Sequence, residues 1–270
     1  MPGVNFSSAK RAAPGATVVV TGAGSGIGAA IAESLVAAGA QVALLDRQAE
    51  AARGVAARID PTGRNTLVLP CDVSDMASVA QAANAVRQRF GPCHSLINNA
   101  GLLRAGPLQS VSLDDWNTVL AVNLTGYLLC AREFAPAMCE QGAGSIVNVA
   151  SIAGQFPQTG SGAYSASKGG VLLLSRQMAV EWGPRGVRSN AVCPGMIRTA
   201  LSVVLTLWPP GPDERKTSIL SSFSGMSMES VPSMSGMTST AAKLVWRRPW
   251  LSNGLIRTSR WVPLSTESVP

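Results

Sequence analysis

Residues 17–28 read Thr-Val-Val-Val-Thr-Gly-Ala-Gly-Ser-Gly-Ile-Gly, a β-branched run that leads directly into four closely spaced glycines. Because glycine has no Cβ, such a stretch lets the backbone turn sharply and approach a phosphate group closely. A helical pattern begins near Ile27, and the first turn of a helix presents unpaired N–H groups and the positive end of its dipole. The stretch therefore predicts a strand, a phosphate-binding turn and a helix, the opening unit of a dinucleotide-binding sheet.

Downstream of this turn the chain alternates short apolar runs with longer Ala-rich stretches, as expected for stacked βαβ units around a parallel sheet. The predicted strands cover residues 17–20, 41–45, 66–70, 95–97, 145–149 and 188–192. The predicted helices cover residues 27–38, 49–59, 76–90, 113–138 and 161–182. The strands are continuous apolar runs, which is typical of strands covered on both faces. The sequence thus predicts an α/β fold with six parallel strands before residue 195.

The size and composition of the chain indicate one globular domain with a substantial apolar core. The 270 residues are 46% hydrophobic and only 14% charged, which excludes a disordered chain. The net charge of +7 is spread along the sequence, since residues 1–200 carry +4 and residues 201–270 carry +3. Because no basic stripe results, we expect no nucleic-acid partner.

The cysteines and the N-terminus bear on the compartment. The five cysteines are an odd number without a Cys-x-x-Cys pair, which speaks against a disulfide framework and against a zinc site. Residues 1–15 lack an apolar core followed by a small-residue cleavage site, and no apolar run approaches the roughly 20 residues that span a bilayer. The sequence therefore predicts a cytoplasmic protein with no bound metal and no membrane partner.

The second predicted strand is followed by Asp46, twenty residues after Gly26. A carboxylate at this position can accept hydrogen bonds from both hydroxyls of an adenosine ribose and repels a 2′-phosphate, so it favours NAD(H) over NADP(H). Arg47 follows directly, and its guanidinium could instead pair with that phosphate. NAD is therefore the predicted cofactor, with NADP as the less favoured alternative.

A second group of polar residues carries the predicted chemistry. Ser151 follows the fifth predicted strand, and Tyr164 and Lys168 lie four residues apart on one face of a predicted helix. A free phenol has a pKa of about 10, and a neighbouring ammonium favours its ionised form, which can remove an alcohol proton near neutral pH. Tyr164 is thus the predicted general acid/base, and Ser151 is predicted to hydrogen-bond the substrate oxygen. A Tyr-x-x-x-Lys pair alone would more simply be an amphipathic surface pair, and only the nucleotide-binding turn favours catalysis.

Residues 16 to about 200 resemble the single-domain branch of the short-chain dehydrogenase/reductase family in the order and spacing of their motifs. Besides the motifs already described, the matching residues are Asp72-Val73, Asn98-Asn99-Ala100-Gly101, Asn123 and Pro194-Gly195. The resemblance implies a doubly wound, three-layer α/β/α Rossmann fold with strand order 3-2-1-4-5-6-7. It also implies hydride transfer between a nicotinamide cofactor and a secondary alcohol or ketone.

The same resemblance assigns residues to the two halves of the site. In the catalytic half, Asn123 joins Ser151, Tyr164 and Lys168, because it would bend its helix and anchor a water that connects Lys168 to solvent. Asp72 and Val73 would hold the adenine ring, and Lys168 would bind the nicotinamide ribose. The full set of predicted cofactor contacts is Gly22, Ser25, Gly26, Ile27, Asp46, Arg47, Asp72, Val73, Asn99, Ala100, Gly101, Tyr164, Lys168, Pro194, Gly195, Ile197 and Thr199.

Two further residues that could carry chemistry are interpreted as structural. His94, the only histidine, lies in a turn and is expected at the surface, since the acid/base role is already filled. Tyr127, the only other tyrosine, lies in a long helical stretch and is interpreted as a packing residue.

The C-terminal part of the chain departs from the family pattern. Residues 1–15 are interpreted as a tail, residues 16–200 as the NAD-binding and catalytic domain, and residues 201–270 as an atypical segment. That segment is rich in Ser, Thr, Pro and Met, shows no period of 2 or 3.6, and has Pro263 where the last strand is expected. Our hypothesis is that it is translated wholly or partly out of the ancestral reading frame; the alternative is a divergent substrate loop.

Two functions remain open. The first is a dehydrogenase acting on a small-molecule alcohol or ketone, with a weak preference for apolar substrates. That preference comes from the apolar residues expected at the pocket, which are Leu102, Leu103, Ile152 and Met196. The second is an NAD-binding protein with little or no turnover, whose substrate-binding segment is altered. In either case we expect a homo-oligomer, a tetramer or a dimer, if residues 201–270 permit it.

Overall fold

The chain alternates strands and helices in the computed structural model, which describes residues 14–195 and residue 197. The strands are β1 (Thr17–Thr21), β2 (Gln41–Asp46), β3 (Thr66–Pro70), β4 (Ser95–Asn98), β5 (Gly144–Val149) and β6 (Val187–Val192). The helices are α1 (Gly26–Ala37), α2 (Ala49–Ile59), α3 (Met76–Phe90), α4 (Leu113–Leu120), α5 (Gly126–Glu140) and α6 (Gly162–Trp182). The predicted strands are confirmed, each within one residue of its predicted bounds.

All strand pairings of the sheet are parallel, and the order in the described residues is β3-β2-β1-β4-β5-β6. This order confirms the doubly wound Rossmann fold. β1 pairs with β2 on one side and with β4 on the other, so the strand order reverses at β1. The carboxyl ends of β1 and β4 therefore border a crevice, which is where open α/β sheets bind their ligands.

The two faces of the sheet carry separate apolar cores, which makes the fold a three-layer one. Val18 and Val20 of β1 pack with residues of α1 and α2, whereas Val19 between them packs with residues of α3, α5 and α6. All three valines are buried. Both faces of β1 are therefore covered, as its continuous apolar run predicted.

The helix predicted over residues 113–138 is interrupted, so the unbroken helix was wrong in its middle, at the position where the family resemblance implied a bend at Asn123. α4 ends at Leu120, and a π-helical turn covers Ala121–Thr125 before α5 begins. In this turn the side chain of Asn123 accepts a hydrogen bond from the Leu102 N–H at 2.8 Å and donates one to the Leu102 carbonyl at 2.9 Å. The oxygen and the nitrogen of this buried amide are thus both bonded to the backbone of Leu102. These bonds stabilise the wider π-helical turn.

Several predictions concern residues outside the described ones. These are most of the N-terminal tail, the seventh strand, the atypical segment from residue 201 with Pro263 and its reading-frame hypothesis, the pocket residue Met196 and the cofactor contact Thr199. Within residues 14–195, no helix is both long enough and apolar enough to cross a membrane.

Candidate functional site

A cleft of about 350 Å³ lies where the turns after several strands meet. It brings together most of the residues that the sequence predicted for the site. Those that line it are Gly22, Ser25, Gly26, Ile27, Asp46, Arg47, Asp72, Val73, Asn99, Ala100, Gly101, Leu102, Leu103, Ser151, Ile152, Tyr164, Lys168, Pro194, Gly195 and Ile197. Asn123 is not among the lining residues, and Thr199 lies outside the described ones.

The glycine turn between β1 and α1 is packed too tightly to hold side chains at two of its positions. Gly22 has a φ of +63°, and a Cβ there would lie 2.8 Å from the Ala100 Cα. A Cβ at Gly28 would lie 2.1 Å from the Gly22 carbonyl oxygen. Both positions therefore require glycine, and the turn leaves its backbone open to the cleft, as a phosphate-binding turn needs.

The N-terminus of α1 faces the same cleft. Its N-cap residue Ser25 makes no side-chain hydrogen bond to the helix, so its hydroxyl does not occupy the free N–H groups of the first turn. Ser25, Gly26 and Ile27 all line the cleft. This end of α1 can therefore receive an anion such as a pyrophosphate.

Thr21 joins the glycine turn to β4, a role that was not predicted from the sequence. Its hydroxyl accepts hydrogen bonds from the backbone N–H groups of Asn99 and Ala100, each at 3.0 Å. In return, the Asn99 side chain donates to the carbonyls of Thr21 at 3.0 Å and Gly22 at 3.1 Å. The Asn99 side chain thus holds the backbone of the glycine turn through these two carbonyls. The signal available in the sequence was a hydroxyl-bearing residue between the apolar run and the first glycine.

Asp46 is half-buried at the end of β2, with both carboxylate oxygens held by backbone groups. One oxygen accepts from the Gly24 N–H and the other from the Gln48 N–H, each at 2.8 Å. Arg47 is exposed, and its charge helps to lower the pKa of Asp72, after the larger effect of the Ser74 hydroxyl. The Asp46 carboxylate is therefore fixed at the cleft, and the neighbouring Arg47 guanidinium stabilises the ionised form of Asp72.

Tyr164 lies half-buried on α6 and shares the cleft with Ser151. The Ser151 hydroxyl accepts a hydrogen bond from the Ala153 N–H at 3.1 Å, which fixes it at the start of the short turn Ile152–Gly154. Burial raises the pKa of Tyr164, and the Ser151 hydroxyl opposes this with a smaller effect. Tyr164 therefore needs a positive charge beside it to act as a base near neutral pH.

Lys168 is a neighbouring side chain that can carry such a charge. It is 3% exposed, and burial lowers the pKa of its ammonium group to about 7. Its Nζ lies 5.8 Å from the centre of the Tyr164 ring, so the spacing of four residues does bring the two side chains together. Nζ donates to the Val149 carbonyl at 2.7 Å and to the Tyr127 hydroxyl at 3.1 Å.

The interpretation of Tyr127 as a packing residue alone was therefore incomplete. The side chain is buried, but its hydroxyl contacts Lys168, 41 residues away in sequence. The only signal in the sequence was general, since a buried tyrosine usually finds a hydrogen-bond partner. His94 is exposed, as predicted, and its Nδ1 accepts from the Thr17 N–H at 3.1 Å.

Asn123 does not line the cleft, and it contacts the part of α6 that carries Tyr164 and Lys168. Besides its two bonds to Leu102, its Nδ2 donates to the Ser167 hydroxyl at 3.1 Å. Ser167 precedes Lys168 on α6 and in turn donates to the Tyr164 carbonyl at 2.7 Å. The side chain of Asn123 therefore connects the π-helical turn, the segment after β4 and α6.

The sequence is similar to a known family and to characterised enzymes. Residues 16–209 match the family model described as short chain dehydrogenase. The chain is 43% identical over 187 residues to D-threitol dehydrogenase of Mycolicibacterium smegmatis, which covers 69% of this chain and 72% of that protein. It is 40% identical over 185 residues to meso-2,3-butanediol dehydrogenase of Serratia marcescens, covering 68% and 72%.

The fold is similar to solved structures as well. One is a Beutenbergia cavernae protein described as a candidate NAD(P)-dependent gluconate 5-dehydrogenase, which contains NADP at low occupancy. It matches with a TM-score of 0.67 and 38% sequence identity, covering 71% of this chain and 76% of that one.

Together these similarities determine the family. The family model covers well over half of the chain, and both relatives exceed 30% identity over more than two thirds of it. The cleft residues described above all lie within residues 16–209. The chain belongs to the short-chain dehydrogenase/reductase family of NAD(P)-dependent oxidoreductases that act on alcohols.

Proposed function

We propose that the protein is an NAD(H)-preferring dehydrogenase that interconverts a secondary alcohol and a ketone, with Tyr164 as the general acid/base. The observation that carries this proposal is the position of Ser151, Tyr164 and Lys168 in the same cleft that the glycine turn and Asp46 line. A nucleotide site and a proton-transferring group within one cleft are what hydride transfer from an alcohol requires.

The residues that line the cleft suit a dinucleotide chemically. The turn excludes side chains at Gly22 and Gly28, and the first N–H groups of α1 are free of a side-chain cap. In this proposal the first turn of α1 binds the pyrophosphate and Asp46 binds the adenosine ribose. The other proposed contacts are Arg47, Asp72 and Val73 near the adenosine, Asn99, Ala100 and Gly101 beside β4, and Pro194, Gly195, Ile197 and Thr199 at the nicotinamide.

Each catalytic residue has a separate proposed role in proton transfer. When bound, the nicotinamide accepts hydride in oxidation or donates it in reduction. In oxidation the Tyr164 phenolate would take the alcohol proton as the C–H bond breaks, and in reduction the Tyr164 hydroxyl would return it to the ketone oxygen. Ser151 holds the substrate oxygen toward Tyr164, and the Lys168 ammonium stabilises the phenolate. Asn123 supports this arrangement from behind, through Ser167.

Asp46 is expected to set the preference for NADH. Its oxygens are held by backbone N–H groups, so the carboxylate cannot turn away from a 2′-phosphate easily. We expect Asp46→Ser to raise the ratio of kcat/KM for NADPH to that for NADH at least about tenfold, since repulsion is removed and Arg47 remains. Steady-state rates with both cofactors at one substrate concentration measure this ratio. The assignment would be contradicted if the wild type used NADH and NADPH equally well and Asp46→Ser left the ratio of their kcat/KM values unchanged.

The natural substrate is proposed to be a small hydroxylated molecule. Two relatives are named for the diol or polyol they oxidise, D-threitol and meso-2,3-butanediol. The test is an oxidation screen of secondary alcohols, vicinal diols and sugar alcohols with NAD and NADP, using full-length protein of confirmed intact mass. Absorbance of reduced cofactor for at least one alcohol supports the proposal. Tight NADH binding with no turnover on the alcohols and their ketones would instead favour a binding protein.

We further propose a cytoplasmic homo-oligomer. The five cysteines are all free, which fits a reducing compartment. Leu128 on α5 and Leu173 and Val180 on α6 expose apolar side chains that a second copy of the chain could cover. Native mass spectrometry would show a dimer or tetramer if this is correct and a monomer if it is not.

A further inference from the structure

We propose that Tyr127 is a positioning residue for catalysis, because its hydroxyl holds the Lys168 ammonium at the place from which it faces Tyr164. This inference rests on the proposed function, since it assigns a role within the same site. Tyr127 does not line the cleft, so its effect passes through Lys168.

Three polar groups form a closed arrangement at the end of β5. Lys168 Nζ donates to the Val149 carbonyl at 2.7 Å and to the Tyr127 hydroxyl at 3.1 Å. The Tyr127 hydroxyl itself donates to the same carbonyl at 2.9 Å. Each of the three groups thus contacts the other two. An ammonium group has three N–H donors, and two are used here, which leaves one for the cleft.

The buried charge of Lys168 has few other partners. None of the salt bridges in residues 14–195 involves Lys168. The Tyr127 ring lies 5.0 Å from Nζ and the Tyr164 ring 5.8 Å, so two aromatic faces are close enough to stabilise the cation. The Tyr127 side chain therefore supplies both a hydrogen-bond acceptor and a ring to a charge that burial destabilises.

Tyr127 is fixed at both ends, as a positioning residue must be. Its backbone carbonyl accepts a hydrogen bond from the Asn98 side chain at 3.2 Å. Asn98 also donates to the Asn148 side chain at 2.9 Å, which connects β4 with β5 inside the core. Because the hydroxyl is held by Val149 and the backbone by Asn98, the ring cannot move away without breaking buried hydrogen bonds.

The titratable groups near Lys168 are few. From α5 the facing group is Tyr127, from its own helix it is Tyr164, and from β5 it is the uncharged Val149 carbonyl. Burial, with smaller effects of Tyr164 and Cys130, raises the pKa of Tyr127 well above its ordinary value. Tyr127 therefore stays protonated over the whole assay range, and pH changes act on Lys168 and Tyr164.

The test is the change Tyr127→Phe, which removes one oxygen and keeps the ring. Without this acceptor the charged form of Lys168 is less stable, so it loses its proton at lower pH. A smaller fraction of Lys168 is then charged, so the Tyr164 phenolate is less stable. The rising limb of kcat against pH for alcohol oxidation should therefore shift to higher pH by about one unit. At pH 7 kcat should fall several-fold, while KM for the alcohol changes little. A profile that overlays the wild type overturns the inference.

Phe134→Leu is the matched control. Phe134 is also a buried aromatic residue of α5, but it packs in the apolar core between the sheet and helices α3, α5 and α6 and has no hydrogen bond to Lys168. This variant should lower the melting temperature and leave the midpoint of the pH profile unchanged. If Phe134→Leu moves the midpoint as much as Tyr127→Phe does, the effect comes from packing of α5, and the inference fails. Should Tyr127→Phe not fold, Tyr127→Met is measured in the same way.

An NADH-binding cycle separates this inference from the proposed function. Tyr127→Phe is made in the wild type and in Lys168→Ala, and NADH affinity is measured by fluorescence without any substrate. The change should weaken binding at least about threefold in the wild type and have no effect once Lys168 is absent. Equal effects in both backgrounds overturn the inference. If no alcohol is oxidised at any pH, the proposed function fails, and this cycle still decides the role of Tyr127.

Discussion

Tyr164→Phe is expected to lower kcat at least about a hundredfold while NADH affinity stays within about twofold of the wild type. The phenolic oxygen is the only atom lost, so the ring keeps its packing on α6 and the cofactor keeps its contacts. What disappears is the group that exchanges a proton with the substrate oxygen. The measurement combines steady-state oxidation of any alcohol found active with fluorescence titration of NADH.

Tyr127→Phe is the control for this result, because it makes the same chemical change one helix away. It should shift the pH profile and leave substantial activity at alkaline pH, whereas Tyr164→Phe should stay inactive across the whole range. A Tyr164→Phe enzyme that retains more than a tenth of the wild-type kcat would show that another group transfers the proton.

Gly28→Ala is expected to reduce both stability and cofactor binding strongly. The new Cβ would lie 2.1 Å from the Gly22 carbonyl oxygen and 2.6 Å from the Asn99 Nδ2, and the first of these is backbone. Relieving the overlap must move α1 away from the glycine turn. We expect a loss of at least about 2 kcal/mol in the free energy of unfolding and a more than tenfold weaker NADH affinity. Denaturant titration and NADH fluorescence measure the two quantities.

Gly54→Ala provides the matched comparison. Gly54 is an exposed helical glycine on α2, and a Cβ there would have no heavy atom within 4 Å. The substitution should stabilise the protein by roughly 0.5–1 kcal/mol, because alanine loses less conformational entropy in a helix. If Gly28→Ala behaves like Gly54→Ala, then the close packing of the glycine turn has no energetic importance.

The features that sequence predicts best here are local ones. The strands were predicted within a residue because each is a short apolar run bounded by turn residues. The pairing of Tyr164 with Lys168 was predictable because four residues make about one helical turn. The glycine turn was predictable because few other sequences allow so sharp a connection between a strand and a helix.

The features that sequence missed are contacts between distant segments. The pattern of residues 113–138 reads as one regular helix, and only the family resemblance implied a bend at Asn123. Neither showed that the Asn123 side chain is bonded to Leu102, 21 residues earlier. Likewise Tyr127 looks like any buried aromatic residue until α5, β5 and α6 are packed together. A helical period reports which face of a helix is buried but not which polar atom it meets there.

The Thr21 hydroxyl has a consequence for the order of events in folding. The two N–H groups that it binds are 78 and 79 residues farther along the chain. We therefore expect the glycine turn to reach its final shape only after β4 has paired with β1, a contact that must close a long loop. A nascent or partly folded chain that has completed only β1, α1 and β2 has the nucleotide-binding sequence but no nucleotide-binding surface. Cofactor capture thus reports closure of the central sheet rather than formation of its first unit.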